Sequence, residues 1–165
     1  MKTLTDDLVR DYAAGLTSPG IALLVATQMS QAPGTRAGVA RAERLGGAFL
    51  GEMPRVALDD GALDAVLDRI DADGEDASAA GDGPSGDGPL PDVLMHAIGR
   101  DFDRIPWRFR LPGVSEYQLS GFEGEHVSLL RARPGASVPQ HTHEGQEATL
   151  VLTGAMEDGG RVLGP

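Results

Sequence analysis

Residues 135–154 read GASVPQHTHEGQEATLVLTG and hold the residue types best suited to bind a metal. His141 and His143 are two apart, so on a strand both imidazoles point to one face. Glu147 has the same parity, although Glu144-Gly145-Gln146 can bend the chain between them. Two imidazoles and a carboxylate form a facial set of borderline ligands that leaves coordination positions open. Zinc heads the divalent ions suited to such a set, followed by Fe, Mn, Ni or Cu. A lone His pair on a strand is usually polar surface, so the surrounding frame has to decide. His96 and His126 lie outside this segment, and His126 reads as a surface residue of the strand EHVSLLRAR.

The frame is specific. Gly135, five residues, His141-x-His143, three residues, Glu147, six residues and Gly154 match, element by element, the first motif of the cupin family. The resemblance implies one divalent ion held by His141, His143 and Glu147, in an antiparallel jelly-roll type barrel. A cupin usually adds a further His from a second motif nearer the C-terminus, and none follows here. The four or five strands that can be read are also too few to close a double-sheet jelly roll. The expected β unit is therefore a partial cupin. Its open edge must be covered, since an exposed edge invites aggregation, and a second copy pairing there as a homodimer is one way to cover it.

The elements that carry this motif follow a run of helices. Thr5 before Asp6-Asp7, with Leu8, Val9, Tyr12 and Ala13 behind, predicts a capped short helix ending at Gly15. Ser18-Pro19 starts a second helix, apolar nearly all round from Ile21 to Met29 and therefore buried or covered by a partner. Pro33-Gly34 breaks it. A third helix is expected from about Thr35 to Met53, with Gly46-Gly47 marking a bend or close approach. A fourth is expected from about Asp59 to Asp71, with Leu63, Val66, Leu67 and Ile70 in phase.

Residues 73–91, DGEDASAAGDGPSGDGPLP, offer almost nothing to bury and read as a flexible acidic linker. Beyond them, Asp92 to Arg100 suggests a brief helix. WRFRL, VSEYQLS, EHVSLLRAR and EATLVLTG then read as strands separated by glycine-containing turns. The expected class is α+β: a helical unit at 1–72, a linker at 73–91, and the partial cupin at 92–165.

Charge and composition narrow the functions. The 165 residues carry a net charge of −11, and no segment has the basic surplus that phosphate binding needs. Direct nucleic-acid binding is not expected. Without cysteine there is no disulfide framework and no thiolate metal site. The opening MKTLTDDLVRDYAAG does not have the form of a signal peptide, and no apolar run approaches a bilayer span. A cytoplasmic chain without membrane contact is expected.

Over nearly its whole length the sequence resembles ChrR-type anti-sigma factors, which bind an extracytoplasmic-function sigma factor and hold it away from RNA polymerase. The stretches DYAAGLTSPGIALLVATQMSQAPGTRA and PLPDVLMHAIGRDFDRIPWRF carry the resemblance, which continues through the cupin motif. In that family a His, three residues, Cys, two residues and Cys on the second helix bind structural zinc. Gln28, Ala32 and Thr35 stand at those positions, and Thr3 stands where a further family His falls, so the resemblance implies a helical unit without zinc. It also implies that the cupin part relays a stress signal, such as singlet oxygen, that ends inhibition. The residues expected to meet the sigma factor are Leu23, Leu24 and Met29 on the second helix, and Phe49 and Leu50 on the third. The short helices bury little by themselves, so a partner could supply the missing burial. The rivals are a cupin metalloenzyme of dioxygenase or isomerase type, and a metal-binding cupin module. Against the enzyme, no general acid or base is recognisable beside the trio.

Overall fold

The structure, a computed structural model, describes residues 4–77, 89–139, 145 and 147–165. Among the described residues, five α-helices and a short 3-10 helix, Phe102–Arg104, precede two small antiparallel sheets, as the α+β reading expects. Helix α1 spans Asp6–Ala13, where the Thr5 hydroxyl accepts the Leu8 N–H at 3.4 Å. Gly15, at φ 70°, turns the chain out of it. Helix α2 spans Pro19–Gln31. It stops because Ala32 precedes a proline and is driven into extended backbone, φ −118° and ψ 100°. Helix α3, Pro33–Glu52, starts at once with proline in its first turn. It runs unbroken through Gly46-Gly47, where among the described residues no other element comes near either glycine. The expected close approach is absent at this pair.

Helix α4 spans Ala62–Ala77, six residues beyond the expected end. Asp73–Ala77 therefore continue a helix, although composition assigns them to the linker. The rest of that expectation, at 78–88, lies outside the described residues. Helix α5 covers Asp92–Ile98 and ends on left-handed Gly99. Among the described residues no helix is long and apolar enough to cross a membrane.

Strand β1, Arg108–Leu111, pairs antiparallel with β2, Val114–Gln118, around a Pro112-Gly113 turn. Gly113 sits at φ 77°, the conformation a type II turn demands after proline. Strand β3, Ser128–Ala132, pairs with β2 from Val114↔Ala132 to Gln118↔Ser128. Strands β4, Met156–Asp158, and β5, Arg161–Leu163, form a separate hairpin. Gly159 and Gly160 both have positive φ there, as a two-residue type I′ turn requires. The expected strand EATLVLTG is not one: residues 147–152 carry no strand, because nothing among the described residues supplies a ladder beside them. The Leu152 carbonyl instead accepts a hydrogen bond from the Gln31 side chain at 3.4 Å.

Two cores result. Val9, Val25 and Val39 bring α1, α2 and α3 together, with Leu8, Tyr12, Ile21 and Met29 around them. Leu94, Ile98, Ile105 and Leu119 form the second, between α5 and the sheet, with Trp107, Tyr117 and Leu129 against it. Leu23 of α2 packs into this second core. Helix α2 is thus a wall shared by both units, which explains why it is apolar nearly all round. Phe102 meets Trp107 edge to face, with centroids 6.1 Å apart. Leu119→Ala should cost about 2–4 kcal/mol of stability, the range for a buried leucine that leaves a cavity. Urea unfolding followed by the fluorescence of Trp107 reads this directly.

Candidate partner surface and metal motif

Helices α1 and α3 pack on each other and leave an open groove of ≈ 930 Å³ along their length. Val9, Ala13, Ala42, Leu45 and Phe49 line it with apolar groups, and Asp6, Arg10, Arg41 and Glu43 with charged ones. Arg10 pairs with Asp7 beside it. Phe49 is 64% exposed and Leu50 69%, both in the last turns of α3. Helix α4 is more open still. Leu63, Val66, Leu67 and Ile70 follow the helical period, yet all four are exposed, with Leu63 at 68% and Ile70 at 59%. Among the described residues α4 lays no extensive face against another element. Leu45, Met53, Val56 and Leu58 add to the same unburied stretch of chain. Isolated exposed leucines need no explanation, but apolar side chains in succession over α3 and α4 do.

The five residues expected to meet a partner divide accordingly. Phe49 and Leu50 are open. Leu24 is half-buried on α2. Leu23 is committed to the second core and Met29 to the first. The sequence did announce the α4 residues through their period, but the same period reads equally well as a bundle core.

The positions Gln28, Ala32 and Thr35 are all buried where α2 meets α3. Among the described residues, Gln28 Oε1 and Thr35 Oγ1 have no hydrogen-bond partner. An amide oxygen, a methyl group and a hydroxyl are poor donors for zinc, which takes imidazole, thiolate and carboxylate.

In the metal motif, Gly135 and Gly154 both occupy left-handed backbone, at φ 78° and 76°, and Gly145 lies at φ 97°. These conformations favour glycine, so the spacing of the motif reflects where its segment turns. Glu147 is exposed. His141 and His143 lie outside the described residues, and among the described residues no three His, Asp or Glu side chains gather as a metal site. The other two histidines are engaged elsewhere. His96 Nδ1 is 2.8 Å from the Asp92 carbonyl, and His126 Nε2 is 3.0 Å from Glu116 Oε1. Burial pushes the Glu116 carboxyl up, but hydrogen bonds from His126 and Ser128, with Arg110 nearby, outweigh it and leave the pKa below its ordinary value. Glu116 therefore serves as an ionised anchor of the sheet.

Comparison with known proteins gives the same picture. The family model described as ChrR Cupin-like domain matches residues 95–163. The anti-sigma-E factor ChrR of Cereibacter sphaeroides is 35% identical over 157 residues, covering 94% of this chain and 71% of that protein. The crystal structure of Rhodobacter sphaeroides SigE in complex with the anti-sigma ChrR contains a chain that superposes with a TM-score of 0.78 at 33% identity. That match covers 98% of this chain and 81% of the other. With helices ahead of a cupin-like sheet, an apolar surface on the helices and likeness along nearly its full length, the chain belongs to the ChrR anti-sigma factor family.

Proposed function

We propose that the chain is an anti-sigma factor that binds an extracytoplasmic-function sigma factor and so represses the transcription that factor directs. The observation that carries this reading is the uncovered apolar surface of α3 and α4, with Phe49, Leu50, Leu63, Val66, Leu67 and Ile70 exposed. An amphipathic helix whose apolar face is left exposed, as that of α4 is among the described residues, gains burial by closing on another protein. The likeness to ChrR, crystallised with SigE, supplies the class of partner. Binding is carried by the helical unit, 1–72 in the division by composition, with the groove between α1 and α3 beside it. Leu23 and Met29 contribute indirectly, by holding α2 in place. Tight association of the full chain with an extracytoplasmic-function sigma factor from the same genome, measured by calorimetry, is the expected result. A folded chain that binds no such factor would refute the reading.

The β unit, 92–165 in the same division, holds one divalent ion through His141, His143 and Glu147. The donor set fits a borderline metal, and zinc before the others. When bound, such an ion would link its ligands and add its binding free energy to the stability of the folded state. Gln28, Ala32 and Thr35 offer nothing comparable, so the helical unit carries no zinc. The reading assigns the chain no catalytic turnover: its task is binding.

A further inference from the structure

Helix α2 begins where the two units touch. Ser18 has the backbone geometry of an N-cap, φ −65° and ψ 158°, yet its side chain makes no capping bond to the helix. Its hydroxyl donates instead to Oε1 of Glu125, and Oε2 of the same carboxylate accepts the Gly20 N–H at 2.9 Å. Glu125 lies between β2 and β3, so the β unit supplies the cap that α2 does not make for itself. The placement is favourable on two counts. Pro19 has no N–H, so Gly20 carries the first free donor of the helix, and a carboxylate there meets the positive end of the helix dipole. Hydrogen bonds from Ser18 and then Gly20 hold the Glu125 carboxyl below its usual range.

Gly20 adds a second observation. A Cβ at this position would lie 2.6 Å from Val127 Cγ2 and 3.0 Å from Glu125 Oε1. Val127 belongs to the second core, as does Leu23 one turn further along α2. Cap, close approach and apolar packing therefore fall on one side of the first turns of α2. On its other side, Ile21 and Val25 pack with Val9 and Val39. Val9 is also part of the lining of the α1–α3 groove.

We propose that the contact of Glu125 and Val127 with Ser18 and Gly20 is a clamp through which the β unit controls the partner surface. Closed, it holds α2 as the common wall of both cores. Opened, it frees the first turns of α2, loosens the packing beneath the groove and weakens partner binding. The clamp stands on the contacts alone. Its effect on binding rests on the anti-sigma reading.

Three full-length variants test it: Glu125→Ala, Gly20→Ala, and Gly20→Ala combined with Val127→Ala. Glu125→Ala removes the cap from an exposed position, with circular dichroism expected to match wild type. Gly20→Ala favours helix by propensity, so any loosening it causes comes from the overlap with Val127. Amide exchange at Ile21–Leu24 should rise by about tenfold in both single variants. Affinity for the sigma factor should fall by about fivefold, in the range of a coupling between sites. The double variant, with the overlapping methyl removed, should recover both values. Unchanged exchange in both single variants overturns the clamp. Faster exchange with unchanged affinity overturns the control of binding. A wild-type chain that binds no sigma factor removes the anti-sigma reading and the control of binding with it, while the exchange data still decide the clamp.

Discussion

Phe49→Asp is expected to weaken binding of the sigma factor by at least about 30-fold without unfolding the chain. A buried aromatic anchor at an interface typically costs about 2 kcal/mol or more when lost, which is that factor in affinity. Phe49 suits the role because it is large, 64% exposed in the free chain, and part of the lining of the α1–α3 groove. A carboxylate there costs the free protein little, since water already reaches the side chain, but closing a partner over it requires stripping that water away. Circular dichroism and the unfolding midpoint should stay at their wild-type values while affinity falls. Val39 provides the contrast: it is 1% exposed, and Val39→Asp should unfold the bundle before any question of binding arises. A Phe49→Asp variant of wild-type affinity would place the interface elsewhere. Ile70→Asp would then show whether α4, rather than the groove, carries it.

The second large effect is on metal content. One divalent ion per chain is expected in wild type, and none in the variant with both His141→Ala and His143→Ala. Two of three protein ligands are then gone, and a single carboxylate cannot hold a borderline ion against water. Elemental analysis of protein purified without chelator measures this, and X-ray absorption should show ligand distances of about 2.0–2.2 Å. Equal metal in both proteins would mean that the ion sits elsewhere. Gln28, Ala32 and Thr35 are a poor alternative, being buried but chemically unsuited. The same double variant should leave the Phe49 surface intact, so sigma binding and metal binding can be lost separately.

Local chemistry was legible in the sequence wherever a few neighbouring residues decide the outcome. Thr5 followed by two aspartates starts α1, Ser18-Pro19 starts α2, and Pro33 separates α2 from α3, because caps and prolines act on the backbone within one turn. The glycine-containing turn expected after WRFRL is the Pro112-Gly113 turn between β1 and β2. The cupin-type motif is visible because its histidines, its glutamate and its glycines fall within a single stretch of 20 residues.

Tertiary structure decided the rest. Period and hydrophobicity say that a face will be covered, but not by what. Helix α2 is apolar all round and is used twice, by Val25 in one core and by Leu23 in the other. Helix α4 has an equally regular apolar stripe and no extensive packing on its own chain among the described residues. Residues 147–152 have the alternation of a strand and are not one, since a strand requires a neighbour and a neighbour is a fact of tertiary structure. The linker composition suggested two independent halves, yet Glu125 caps a helix whose first residues lie more than a hundred positions earlier. A carboxylate in a loop carries no mark in sequence of the N–H it will accept, because only the folded chain brings donor and acceptor together.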